Sequence, residues 1–203
     1  MDENMSSNFV QLTGVMAAAP VFSHESRGES FYTFPLEVTR LSGAVDTVNI
    51  IARRGLLESV EAADGAGLRV IGELRSFNNR SGEGARLVIT VFAKELALCD
   101  EEDGNTVYLT GTLCKAPILR QTPMGRDICD LMLAVNRRYG RSDYLPCIVW
   151  GLTARRAAEW GVGQSVSLSG RIQSRSYIKL VDGIPVEKVA FEVSVCEISE
   201  ADI

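Results

Sequence analysis

The sequence predicts an all-β protein made of two tandem five-stranded barrels, each with one short helix. Two observations lead to this fold class. The first is an internal repeat: residues 8–14 return as residues 105–111, and the offset of 97 residues holds without a gap as far as Arg53 and Trp150. The second is the order of elements within each copy, in which short alternating segments surround a single helical stretch.

The first copy contains five predicted strands, at residues 10–16, 31–38, 47–52, 68–75 and 85–98. Residues 17–29 are small and polar and predict a loop. Residues 56–63 predict a short helix that ends at Asp64-Gly65. Residues 78–84 are rich in turn formers and predict the tip of a hairpin between the last two strands.

The second copy repeats this order. Its predicted strands cover residues 106–113, 127–137, 144–150, 165–173 and 188–198. A helix is predicted at residues 153–160, and Asp182-Gly183 predicts a hairpin tip. Three strands, a helix and two more strands in about 95 residues are the pattern of a five-stranded OB-fold barrel. We therefore predict two tandem OB-fold barrels.

Charge helps to place the domain boundary. The net charge is −5, but residues 105–203 carry 12 Lys and Arg against 10 Asp and Glu, whereas residues 100–103 are all acidic. The repeat and this acidic run predict a degenerate N-terminal OB-fold at residues 1–99, an acidic linker at residues 100–104 and a C-terminal OB-fold at residues 105–203. The mildly basic second copy is the better candidate for binding a polyanion.

Several classes of function are disfavoured by what the sequence lacks. The five cysteines are widely spaced, without a Cys-x-x-Cys pair, and the one histidine, His24, has Ser23 and Glu25 as chain neighbours, so it cannot form a catalytic triad with them. We expect no metal, no cofactor and no enzymatic activity. Neither a membrane span nor a signal peptide is expected, and free thiols indicate a reducing, cytoplasmic compartment.

Residues 143–151 hold the most informative surface. Alternation places Tyr144 and Trp150 on one face of a strand, together with Pro146 and Ile148. Three apolar residues fall on the other face: Leu145, Cys147 and Val149. We expect a face with two large aromatics and no charge to be buried, either by a partner chain or by stacked planar ligands. A strand buried on both sides is the structural alternative.

The second copy resembles the bacterial single-stranded DNA-binding protein (SSB) family. The matching segments run in order through nearly the whole copy: Leu109-Thr110-Gly111, Pro117, Thr122-Pro123-Met124-Gly125, residues 133–137, residues 143–151, Ala154, Gly163 and residues 170–177. The first copy matches only through its homology with the second. The resemblance implies a non-catalytic, nucleoid-associated protein that binds single-stranded DNA in replication, repair or recombination, with RNA as the alternative ligand.

The resemblance also implies base stacking at four aromatic positions: Tyr139, Tyr144, Trp150 and Tyr177. Cations near these aromatics are predicted to contact phosphates: Arg137, Arg138, Arg141, Arg171, Arg175 and Lys179. The first copy has lost each of these rings, so we predict that residues 105–203 carry most of the DNA affinity and that residues 1–99 serve mainly to complete the oligomer. The alternative is a different, more electrostatic path for the strand over the first copy. That path would use Arg53, Arg75, Phe77 and Arg80. Arg40, the counterpart of Arg137, is also predicted to contact nucleic acid.

The resemblance raises two further expectations. Family chains carry one barrel and assemble four, so two duplicated chains are expected to form a homodimer that supplies four barrels. Family chains also end in a disordered tail with an acidic tip that recruits replication and repair proteins, and residues 197–203 do not reproduce that tail. The alternative function is a primosomal or mobile-element accessory or protein-interaction module that uses the barrel faces as an interface.

Overall fold

The computed structural model describes residues 7–60, 63–79, 86–137, 140–181 and 183–201. In the first copy the elements are β1 (Asn8–Met16), β2 (Val21–Ser26), β3 (Glu29–Thr39), β4 (Val45–Arg53), α1 (Arg54–Val60), β5 (Gly67–Asn78) and β6 (Leu87–Leu98). In the second copy they are β7 (Gly104–Leu113), β8 (Ile118–Gln121), β9 (Asp127–Asn136), β10 (Ser142–Trp150), α2 (Gly151–Ala157), β11 (Ser165–Val181) and β12 (Ile184–Glu200).

Each copy closes into a ring of five strands. In the first barrel, β1 pairs with β3 and β5, β3 pairs with β4, and β4 runs parallel to β6, which lies beside β5. In the second barrel, β7 pairs with β9 and β11, β9 pairs with β10, and β10 runs parallel to β12, which pairs with β11. A closed ring leaves no free edge among its five strands. The predicted pair of tandem OB-fold barrels is confirmed.

Strands β2 and β8 were not predicted from the sequence, and the prediction of a loop over residues 17–29 is wrong. Strand β2 pairs with β3 around a turn at Arg27 and Gly28, whose φ angles are 53° and 76°. Strand β8 pairs with β9 around a turn that contains Gly125 at a φ of 75°. Every residue of β2 and β8 is exposed. A strand with no buried face shows no alternation of apolar and polar residues, so only its tight turn reveals it.

The boundaries of two helices and two strands are displaced in the structure. Helices α1 and α2 each begin two residues earlier than predicted, directly after β4 and β10. Trp150 occupies the N-cap of α2 and makes no side-chain capping bond, so the usual start signal is missing from the sequence. Strands β11 and β12 have 17 residues each, longer than predicted, because the hairpin extends beyond the buried part of the barrel.

The repeated glycines mark places where strands approach closely. A Cβ atom on Gly14 would lie 2.2 Å from the carbonyl oxygen of Glu37, and a Cβ on Gly111 would lie 2.5 Å from that of Ala134. Both distances are far below van der Waals contact. The Leu-Thr-Gly triplet therefore recurs in both copies because β1 must close on β3, and β7 on β9, with no side chain between them.

Contacts between Cα atoms divide the chain into two compact units. The first compact unit comprises Phe9–Arg75 and Ile89–Thr106, and the second comprises Met1–Asn8, Ser76–Val88 and Val107–Ile203, as far as these residues are described. The described residues 76–79 and 86–88 thus belong to the second compact unit, although their sequence comes from the first copy. Neither helix in the described part of the chain is long and apolar enough to cross a membrane.

Candidate nucleic-acid interface

Strand β10 presents two aromatic rings on its outward face. Tyr144 is 51% exposed and Trp150 is 38% exposed. Leu145, Cys147 and Val149, which alternate with them, are buried, as the period of two predicts. Ile148 shares the face of the aromatics but is itself buried. The strand therefore fills the core of the second barrel and at the same time presents a ring near each of its ends.

Trp150 is held in a defined orientation. Its indole Nε1–H donates to Ser194 Oγ at 3.2 Å, and the guanidinium carbon of Arg126 lies 6.0 Å from the ring centroid. Arg126 comes from the turn between β8 and β9. It was not among the predicted site residues, although it stands next to the Thr122-Pro123-Met124-Gly125 turn in the sequence. A tethered indole with a cation close to its ring is suited to stacking a base whose phosphate is nearby.

Strand register brings Arg171 to the same face. Ser194 on β12 is the partner of both Ile148 on β10 and Arg171 on β11. Residues paired in this way project to one side of a sheet, so Arg171 and Trp150 share the outward face. Among the described residues, the exposed Arg171 side chain has no carboxylate partner. It is thus available to a phosphate.

Further along β11, Arg175 lies beside Tyr177. The guanidinium carbon of Arg175 is 5.9 Å from the Tyr177 ring centroid, and Arg175 Nε donates to Glu192 Oε2 at 3.2 Å. Lys179 continues the same side of the strand and is exposed. Trp150, Tyr177 and these three cations form a mixed aromatic and basic surface, which we call the β10–β11 face, defined by Trp150, Arg171, Arg175, Tyr177 and Lys179.

The β10–β11 face is not uniformly basic. Glu192 on β12 pairs with Gln173 and contacts Arg175, and Arg120 on β8 is paired with Asp130 on β9. Burial raises the pKa of the Glu192 carboxyl, Asp130 raises it further, and Arg175 and Arg120 oppose the rise. A carboxylate at this position partly neutralises Arg175 and leaves Arg171 as the stronger phosphate ligand.

Arg137 takes a different place from the one predicted. Its Nε donates to Asp143 Oδ2 at 2.6 Å, its second donor reaches Asp143 Oδ1, and it also donates to the carbonyl of Ser76 at 3.3 Å. The Asp143 side chain is fully buried. Arg40 makes the same two contacts with the buried Asp46. Both arginines serve the turn between their strands, so the structure does not favour them as phosphate ligands.

The other predicted residues are scattered. Arg53 is exposed at the end of β4, and Arg75 is paired with Glu73 and lies 5.8 Å from the Phe92 ring centroid. Arg141 is exposed, and its carbonyl accepts the Arg137 N–H at 2.6 Å. Phe77 is half exposed in the second compact unit. Three predicted residues lie outside the described part of the chain: Arg80, Arg138 and Tyr139.

A family profile and individual relatives both identify the second copy as similar to single-stranded DNA-binding proteins. The profile of the "Single-strand binding protein family" matches residues 104–199. The single-stranded DNA-binding protein B of Bacillus subtilis (strain 168) is 41% identical over 80 residues, which cover 36% of this chain and 71% of that protein. The single-stranded DNA-binding protein of Clostridium tetani is 40% identical over 80 residues, 36% of this chain and 55% of that protein. The chain spans about half the length of several of these curated relatives.

A solved structure extends the similarity to the whole chain. The wild-type single-stranded DNA binding protein from Thermus aquaticus aligns with a TM-score of 0.78 over 97% of this chain and 93% of that chain. Sequence identity in this alignment is 21%. At that identity the alignment shows a shared fold, with two barrels in tandem.

Proposed function

Because the chain belongs to the single-strand binding protein family, we propose that it binds single-stranded DNA without strong sequence preference and without catalysis, in replication, repair or recombination. The observation that carries this proposal is the β10–β11 face. There Trp150 and Tyr177 each have an arginine about 6 Å from the ring centroid, at 6.0 and 5.9 Å. Every base has a π-face, so such rings stack any base, at about 1–3 kcal/mol each.

The chemistry of this face divides into two parts. Trp150, anchored through Ser194, gives stacking energy that does not depend on base identity. Arg171 and Arg175 neutralise phosphates and release counterions, which makes the affinity depend on salt. Neither part reads the donor and acceptor pattern of a base, so the proposed binding tolerates all sequences.

Assembly is part of the same proposal. The outer end of the β11–β12 hairpin exposes Ile178, Leu180 and Ile184, at 73%, 69% and 65%. Apolar side chains this exposed favour association, and two chains together would supply four barrels. We therefore propose a homodimer in the cytoplasm, and light scattering at micromolar concentration should give twice the chain mass. A stable monomer or a four-chain particle would contradict this.

The proposed binding is tested by titrating the protein with oligo-dT at several salt concentrations while following tryptophan fluorescence. Quenching of Trp150 and an affinity that falls as salt rises are the expected results. A double-stranded oligonucleotide of the same length is the matched control and should bind more weakly. Equal affinity for both oligonucleotides, or no binding of either, would contradict the proposed function.

A further inference from the structure

A groove of about 560 Å³ lies in the second compact unit, apart from the β10–β11 face. Its walls come from two short parts of the first copy, residues 76–78 and 86–87, and from the second barrel. The residues that matter to its chemistry are Phe77, Arg86, Lys115, Met132, Ser142 and Tyr144. Its volume is within the range of about 300–1,000 Å³ that is usual for small-molecule sites.

Two aromatic side chains line this groove. Phe77 is 50% exposed and Tyr144 is 51% exposed. Within the described part of the chain, neither ring stacks on another aromatic ring. Each therefore offers a free face to a planar ligand, and the β10–β11 face does not use Phe77.

The backbone beside each ring is fixed by direct hydrogen bonds. Ser76 N donates to Asp143 Oδ1 at 2.6 Å, and Tyr144 N donates to Ser76 Oγ at 2.7 Å. Asp143 is in turn held by Arg137. Phe77 directly follows Ser76 in the chain, and Tyr144 directly follows Asp143. This hydrogen-bond network therefore fixes the backbone positions from which the two rings project. A site whose parts are held in place before binding loses little entropy when a ligand is bound.

The charge of the groove selects among ligands. Arg86 and Lys115 are on its walls, and none of the lining residues that the structure describes carries a carboxylate. Asn78 and Ser142, also in the lining, supply polar groups of the kind that contact a base or sugar. Aromatic rings together with cations and amides match a nucleotide, whereas an apolar peptide segment would leave both cations without a partner.

We propose that this groove is a second nucleotide-binding subsite, with a base on Phe77 and Tyr144 and phosphates on Arg86 and Lys115. The inference rests on the proposed function and extends it, because residues 76–78 and 86–87 of the first copy supply one wall of the binding path on the second barrel. Tyr144 and Trp150 are six residues apart on one face of β10, about 20 Å at the usual rise per residue. A strand of several nucleotides that follows β10 therefore passes from the β10–β11 face into the groove.

The first experiment measures the affinity of the full chain for labelled oligo-dT after Phe77→Ala, with Phe22→Ala as matched control. Phe22 is similarly exposed on β2, at 59%, and lies outside the groove. We expect Phe77→Ala to weaken binding about 5- to 100-fold and Phe22→Ala to leave it within about twofold. Phe77→Leu keeps an apolar side chain and removes only the ring, so it should also weaken binding if stacking is the cause.

A double-mutant cycle with Tyr144→Ala tests whether the two rings share a ligand. If they do, the loss in the double variant is smaller than the product of the two single losses. Independent losses would overturn the shared subsite. Photocrosslinking with an oligonucleotide that carries 5-iododeoxyuridine should attach to the peptide that contains Phe77 or Tyr144.

The outcomes separate this inference from the proposed function. If Phe77→Ala binds like the wild type while Trp150→Ala is impaired, the groove is not a subsite and the proposed function stands. If the wild type itself fails to bind oligo-dT, both fail. If Phe77→Ala is unimpaired toward DNA but loses a peptide that binds in the groove, the groove is a protein-docking site and the inference is overturned.

Discussion

Strand β10 of the second barrel ends in Trp150, whereas the equivalent strand of the first barrel, β4, ends in Arg53. The position of Arg171 on β11 is occupied by Glu73 on β5, and Glu73 is paired with both Arg75 and Lys94. The two barrels thus expose different chemistry on corresponding strands. In the second barrel a ring and an arginine that has no carboxylate partner among the described residues face outward, and in the first barrel a carboxylate binds two cations.

The contacts that close each barrel differ much less between the two copies. Arg40 with Asp46, and Arg137 with Asp143, connect the same two strands in each copy, and Gly14 and Gly111 allow the same close approach. A duplicated domain must keep the contacts that close its barrel, while its outer surface can change without loss of stability. On this comparison we propose that the second barrel carries most of the stacking surface.

The largest expected effect comes from removing both rings of the β10–β11 face. Trp150→Ala combined with Tyr177→Ala should weaken binding to oligo-dT by about 2–6 kcal/mol, because two stacked bases are lost. The equivalent pair in the first copy, Arg53→Ala with Asn79→Ala, should cost less than about 1 kcal/mol. Fluorescence anisotropy of a labelled oligonucleotide measures both variants. Equal losses would show that the first barrel is an equal partner in binding.

The next effect concerns stability. Arg137→Ala should lower the free energy of unfolding by about 3–5 kcal/mol, because it removes the guanidinium group that is paired with the buried Asp143 carboxylate. Arg171→Ala, at an exposed site, should change stability by less than about 0.5 kcal/mol. Urea denaturation followed by circular dichroism measures both. A stable Arg137→Ala protein with reduced DNA affinity would restore Arg137 as a phosphate ligand.

A smaller effect is expected in the salt dependence of binding. Arg171→Ala should lower the slope of log affinity against log salt by about 0.7, the value for one phosphate contact on a single strand. Arg53→Ala is the matched control in the first barrel and should leave the slope unchanged. Identical slopes for Arg171→Ala and the wild type would exclude a phosphate contact by Arg171.

The smallest effect is a pH dependence that only the second barrel should show. Burial raises the pKa of the Glu192 carboxyl, so this group takes up a proton at a higher pH than an ordinary glutamate. As pH falls through that raised pKa, the β10–β11 face loses a negative charge and affinity should rise, by about twofold. Glu192→Gln should bind more tightly at pH 7 and respond less to pH. An unchanged pH profile in this variant would assign the effect to another group.

The internal repeat, the alternating segments and the positions of Gly14 and Gly111 were enough to predict two OB-fold barrels from the sequence. These features are local, since period-two alternation and a glycine at a close approach are visible in a few residues. The outward position of Tyr144 and Trp150 follows from the same alternation. Strands β2 and β8 escaped prediction because no residue in them is buried.

The roles of the charged residues were decided by the tertiary structure. Arg137 and Arg171 are both arginines near aromatics in the sequence, yet one is bound to a buried carboxylate and the other has none among the described residues. That difference depends on which strands pair. The position of the Arg126 guanidinium near the Trp150 ring depends on strand pairing in the same way. Phe77 and Tyr144 are separated by 66 intervening residues and line one groove because Ser76 hydrogen-bonds to β10. Contacts between residues so distant in the chain leave no periodic or local pattern, and only the folded chain brings them together.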